Sequence, residues 1–144
     1  MAATVGAALS WWARTKGDTT ALRVGDDELT YGALQHWSSR LARQLTDNGV
    51  KPGDRVGVLS PNVIQWPVIA LAIIKAGAVL VPFNARLKPA EIRKVADDAG
   101  LSVLFAGSAQ LPAAREASAT GAEFAVLSFD EVDPLRSGAP EGSK

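Results

Sequence analysis

The chain has 144 residues, enough for one domain, with 15 Lys plus Arg against 15 Asp plus Glu and a formal net charge of zero. That balance argues against nucleic acid as the main partner and against a polybasic membrane anchor, since both need a basic excess or stripe. The absence of cysteine excludes disulfides, thiolate chemistry and Cys-ligated zinc, and the lone histidine, His36, cannot build a multi-histidine metal site. The basic residues Arg14 and Lys16 follow the N-terminal apolar stretch rather than precede it, the reverse of a secretory signal, so the expected location is the cytoplasm.

Taken in chain order, Val5, Leu9 and Trp12 recur at helical spacing, with Thr4 as the expected N-cap. Ala21–Val24 and Glu28–Thr30 flank Gly25-Asp26-Asp27, which reads as a hairpin. Thr30 is placed to cap a helix with the apolar stripe Leu34, Trp37, Leu41 and Leu45, and Gly49 to end it with a positive φ. From Arg55 the pattern changes to short β-type runs at Arg55–Leu59, Ala78–Val81, Leu101–Phe105 and Glu123–Leu127. Helical segments at Asn62–Ala76, Pro89–Ala99 and Ala109–Thr120 separate them, with Gly100 and Gly121 at helix ends.

Strand–helix–strand repetition implies an α/β fold. The expected order is an N-terminal helix and β-hairpin, then Rossmann-like parallel βαβ units with helices on both faces. Trp66 to Phe83 is apolar except for Lys75, and it reads as a buried helix followed by a buried strand rather than a membrane span. Pro82 is expected to end that strand. Pro67 falls one turn inside the expected helix, where it would cost about 3 kcal/mol, so its removal should stabilise the chain. Residues 1–132 form the expected domain. The Pro-, Gly- and Ser-rich 133–144 form the expected linker or disordered tail.

Chemistry-bearing residues are sparse. The loop after the first parallel strand, Ser60-Pro61-Asn62, has no glycine with which to wrap a phosphate, and neither G-x-G-x-x-G nor G-x-x-x-x-G-K-[ST] occurs. Asp97 and Asp98 are neighbours on a helix and diverge by about 100°. Asp26, Asp27 and Glu28 belong to a turn, and Asp130, Glu131 and Asp133 to the tail. His36 shares a helix face, expected to be wet, with Arg40, Arg43 and Asp47, and the sequence identifies no group that would orient it as a base. Lys75 and Lys88 are lone cations near strand ends. Trp11, Trp12, Trp37 and Trp66 read as core or interface aromatics, with one of the Trp11–Trp12 pair free to face a partner. No catalytic, cofactor-binding or metal-ligating residue is assigned.

Two blocks carry a resemblance. Leu29-Thr30-Tyr31-Gly32-Ala33-Leu34 and Ile74-Lys75-Ala76-Gly77-Ala78-Val79-Leu80-Val81-Pro82-Phe83-Asn84 resemble two conserved blocks of the adenylate-forming (AMP-forming) acyl-CoA synthetase superfamily. Between them, Gly49–Val56 and Ser60-Pro61-Asn62 look like the connecting segments, and the likeness covers about residues 4 to 132. Ala33 departs from the family, where Glu is common and would complete a capping box. Asn84-Ala85-Arg86-Leu87 resembles the fatty- and aryl-acid CoA ligases more than peptide-synthetase adenylation domains.

The resemblance implies a parent enzyme using ATP, Mg and CoA to turn a carboxylic or fatty acid into acyl-AMP and then a thioester. It also implies that the phosphate loop, acid pocket, ribose-binding Asp and catalytic Lys lie beyond Lys144. The remainder of the ligase is the implied partner, with a homodimer possible, and no cofactor is expected to bind this chain alone. The alternative is a non-catalytic binding or dimerisation module.

Overall fold

Strand β3 (Arg55–Leu59) has no side for water: Val56, Val58 and Leu59 are all fully buried. A strand buried on both faces needs a neighbour on each edge and a helical layer above and below. The computed structural model, which describes residues 2–119 and 124–137, supplies all four. Strand order is β4 (Val79–Phe83), β3, β5 (Leu101–Ala106), β6 (Ala125–Ser128), and every pairing is parallel. Val56, Val58 and Phe105 point to one face, where α2 (Tyr31–Asp47) and α3 (Gln65–Lys75) cover them through Trp37, Leu41, Val68 and Ile73. Leu59, Phe83 and Leu104 point to the other, under α4 (Pro89–Ala99) and α5 (Leu111–Ala119). Gly57 sits between the rings and methyls of that second face. A Cβ there would stand 2.5 Å from Phe83 Cε1 and 2.9 Å from Leu104 Cδ1, so the centre of the sheet has room for glycine alone.

The N-terminal elements extend the α2–α3 side of this core through Leu9 and Leu29. Helix α1 (Ala2–Thr15) begins before Thr4, which therefore lies inside the helix and not at its cap; the strong helix former alanine at positions 2 and 3 carries the helix past it. β1 (Thr20–Val24) and β2 (Asp27–Thr30) form the expected antiparallel hairpin across Gly25, at φ +60°. Thr30 caps α2 as expected, its hydroxyl accepting from the Ala33 amide at 3.0 Å, and Leu34, Trp37, Leu41 and Leu45 form the buried stripe. Both α2 and α3 close with paired backbone bonds around a left-handed glycine. Gly49 donates to Thr46 O while Val50 donates to Leu45 O; Gly77 donates to Ile74 O while Ala78 donates to Ile73 O.

Three further expectations change. First, α3 starts at Gln65, three residues late, which makes Pro67 its third residue. The first amides of a helix have no carbonyl to reach, so the proline breaks nothing and its fixed φ suits the first turn. Second, β4 runs through Pro82 to Phe83, and it is a half-exposed edge strand instead of a buried one. Val79 donates to Asp54 O, so residues 79, 81 and 83 turn their amides toward β3 while Leu80 and Pro82 turn theirs outward. Proline is tolerated on that open side because no ladder bond is lost.

Third, the ordered chain continues past residue 132. A 3₁₀ turn (Phe129–Glu131) and the short helix α6 (Pro134–Ser137) return across α2. Val132 is fully buried and its carbonyl accepts from Trp37 Nε1 at 3.0 Å. Arg136 then lies 5.1 Å over the Trp37 ring and grips Asp27 with two bonds of 2.7 and 2.9 Å. Apolar contact plus a forked ion pair orders a segment whose composition alone suggested a tail. Gly121, Glu123 and residues 138–144 lie outside the described residues.

Two substitutions separate these backbone assignments. Gly77→Val should lose at least about 1 kcal/mol in urea melts, because a β-branched residue resists φ +79°. Its would-be Cβ meets nothing closer than Pro52 at 3.5 Å, so Gly77→Asn, which tolerates the left-handed region, should recover part of the loss. Pro67→Ala should now be neutral or cost up to about 1 kcal/mol through the freer unfolded chain. A gain in stability would place Pro67 beyond the first turn of the helix, where it would break a hydrogen bond.

Candidate functional site

In an open parallel sheet, ligands bind beyond the carboxyl ends of the strands, where connections leave toward opposite faces. Here that place lies between β3, whose loop rises to α3, and β5, whose loop falls to α5. It is filled by the chain itself. Gly107 donates to Leu59 O, and a Cβ on Gly107 would stand 3.1 Å from Ser60 Oγ and 2.9 Å from Gln110 Oε1. The buried Ser60 hydroxyl is turned onto Pro61 O at 2.8 Å, spending its donor locally.

The helix starts facing this edge are poor anion sites. A phosphate binds a helix N-terminus through free backbone amides. Each crossover helix has a proline in its first turn: Pro67 in α3, Pro89 in α4 and Pro112 in α5. At α3 the Trp66 amide is already given to Val63 O. At α4 the Lys88 amide is given to Glu91 Oε1, a carboxylate that would repel a phosphate. The first turns of α3 and α4 therefore present few free amides to a phosphate.

The residues singled out in the sequence are dispersed. Asp97 and Asp98 diverge, pairing with Arg93 at 3.1 Å and Lys94 at 3.4 Å along the exposed side of α4. Asp27 is held by Arg136, whose hydrogen bonds keep its carboxyl below the usual range, and Glu28 pairs with Arg23 at 3.0 Å. Glu131 accepts from the Ser128 amide and Asp133 from Gln65 Nε2, so both are structural. His36, Arg40, Arg43 and Asp47 do share one face of α2. With Ser39, Gln44 and Leu135 they line an open cleft of about 570 Å³ beside α6. A second cavity of about 310 Å³ lies under α2 against β5 and β6, lined largely by Leu41, Leu45, Val103, Phe105 and Leu127. Neither cavity reaches the carboxyl ends of β3 and β4. Among the described residues no group of three or more His, Cys, Asp or Glu could hold a metal ion. No helix among them is long and apolar enough to cross a membrane.

Lys88 is exposed at the start of α4, and Asn84 beside it closes a tight turn by accepting from the Arg86 amide at 2.9 Å. Lys75 is the residue whose place the sequence concealed. It sits at the amino-terminal edge of the sheet, opposite the ligand edge, and its ammonium donates to Gln35 Oε1 at 2.8 Å, Ser38 Oγ at 2.7 Å and Ser39 Oγ at 2.9 Å. Gln35 in turn donates to Ser10, so one polar line ties α1, α2 and α3 together. No motif announces it, because the partners are 36 to 40 residues away.

All of these acceptors are neutral, and burial pushes the Lys75 ammonium down to about 8 from an unfolded value of 10.5. Between those values the unfolded chain binds more protons than the folded one, so stability should rise with pH across about 8 to 10.5. Urea melts of the parent and of Lys75→Met over this range check it: the parent should gain on the variant as pH rises. Parallel profiles would show that the ammonium carries no burial penalty.

With the geometry in hand, the chain can be set beside known proteins. The family model for the AMP-binding enzyme matches residues 9–143. A CoA ligase of Mycobacterium tuberculosis acting on a 7a-methyl-1,5-dioxo-octahydroindenyl propanoate is 42% identical over 114 residues, 79% of this chain and 22% of the relative. A medium/long-chain-fatty-acid–CoA/3-oxocholest-4-en-26-oate–CoA ligase of Mycobacterium marinum is 40% identical over 87 residues, 60% of this chain and 16% of the relative. The N-terminal domain of the M. tuberculosis protein FACL13 superposes with a TM-score of 0.82 at 27% identity, covering 94% of this chain and 35% of that one. The chain thus spans about a fifth of the length of these two curated ligases, and it belongs to the AMP-binding enzyme family.

Proposed function

We propose that this chain is the N-terminal scaffold portion of an AMP-forming carboxylic acid–CoA ligase. The single observation that carries the reading is the coincidence of a family match over residues 9–143 with a ligand edge that offers no phosphate-binding backbone. In the parent reaction a carboxylate attacks the α-phosphate of ATP, releasing pyrophosphate, and CoA thiol then displaces AMP. Such steps rest on positioning and charge neutralisation, which residues outside this chain would supply. Mg, ATP, CoA and the acid all belong to that larger assembly, and none of the residues here is assigned a catalytic, cofactor or metal role. The portion of the large domain contributed reaches at least Ser137, because α6 packs on α2 and Arg136 pairs with Asp27, and the setting is cytoplasmic. Steroid-derived and fatty acids are the substrates named for the relatives, so a large apolar carboxylic acid is the class to test first in the complete enzyme.

The chain by itself should neither bind Mg·ATP tightly nor form acyl-AMP. An exposed cation such as Lys88 contributes about 1 kcal/mol or less, too little to immobilise a nucleotide. Acid-dependent exchange of labelled pyrophosphate into ATP, run beside calorimetric titration with Mg·ATP, should show neither activity nor micromolar binding. Exchange above background by the purified 144-residue chain would overturn the scaffold reading.

A further inference from the structure

Helix α1 presents an unusual outer face. Among the described residues the exposed large hydrophobic side chains are Trp11, Trp12 and Val79, and the two tryptophans, 49% and 40% exposed, stand side by side. At about 100° per residue, Ala7, Ala8, Trp11, Trp12 and Thr15 form one continuous face. All five are exposed, while Leu9 is buried and Ser10 is engaged by Gln35 on the opposite side. The rings are held rather than loose. Trp12 stacks on Tyr31 with centroids 5.3 Å apart and planes at 20°, and Trp11 meets Trp12 edge-on at 5.0 Å.

We propose that this face of α1 seats on an anionic lipid surface. Charge selects that occupant. Arg14 falls on the wheel beside Ala7, at one border of the face and about 60° from Trp11. Lys16, whose amide still donates to Trp12 O at 2.7 Å, falls just beyond Trp12. Two exposed bases therefore flank the indoles, α1 itself carries no carboxylate, and Asp18 is the first acid after it, in a chain whose overall net charge is zero. Indole rings bordered by Lys and Arg are the composition that settles at the headgroup level of a bilayer, with the helix lying in the plane of the surface. Two bases do not make a polybasic anchor, so the rings supply most of the attachment and the charges add to it. Binding is peripheral and reversible, and it does not rest on the catalytic reading.

The test uses the intact 144-residue chain with vesicles of about seven parts phosphatidylcholine to three of phosphatidylglycerol, and with phosphatidylcholine alone. Flotation should recover the chain with the anionic vesicles. Brominated acyl chains should quench its tryptophan emission, because Trp37 is buried and the exposed indoles are on α1. Trp11→Ser should cut the partition coefficient about tenfold. Arg14→Gln with Lys16→Gln should cut it about fivefold per charge on anionic vesicles while leaving both rings in place, so the proposal stays testable even where Trp11→Ser unfolds. Absence of flotation and quenching would overturn it, as would partition indifferent to both variants. A concentration-dependent dimer in sedimentation without vesicles, abolished by Trp11→Ser, would assign the face to a second copy instead.

Discussion

The structure depends on one constraint: β3 offers no side to solvent. Val56 and Val58 on one side and Leu59 on the other are fully buried, each contributing about 1.5–3 kcal/mol relative to exposure. That burial requires β4 and β5 on the edges, α2 and α3 above, and α4 and α5 below. It also explains Gly57, whose missing side chain lets Phe83 and Leu104 close over the strand. Elements remote from one another in sequence are thus committed to one arrangement by a five-residue strand.

Polar contacts then fix the layers against each other at two places. Lys75 pins α3 to α2 and, through Gln35, to α1 at the amino edge of the sheet. Arg136, Trp37 and Asp27 clasp the C-terminal segment over α2 onto the hairpin. Both lie away from the carboxyl ends of the strands. At those ends, prolines in the first turns of α3, α4 and α5 and the packed Ser60–Gly107 contact leave a closed, donor-poor surface. The proposed scaffold role rests on this arrangement, on the AMP-binding family match and on how little of each relative the chain covers.

What could be read in the sequence was local. Thr30 as a cap, the Leu34–Trp37–Leu41–Leu45 stripe, and Gly49 and Gly100 as helix ends each declare themselves within a few residues. The errors came where partners are distant or orientation decides. Pro67 is harmless because α3 starts at Gln65, which periodicity alone could not place. Pro82 stays in β4 because its amide faces away from β3, a fact of strand pairing. The segment from Asp133 to Ser137 is ordered by contacts with Trp37 and with Asp27, 109 residues from Arg136. The packing of Gly107 against Ser60 at the carboxyl edge of the sheet could not be read, because it joins two loops separated in sequence.

Native-state hydrogen exchange on the 144-residue chain tests the account most directly. With β3 as the element on which both cores close, its amides and their β5 partners should exchange only through global unfolding, at the free energy obtained from urea melts, while those of α1 and the β1–β2 hairpin open locally at lower cost. Exchange of the Val56–Leu59 amides through local openings well below the global value, with greater protection elsewhere, would contradict it.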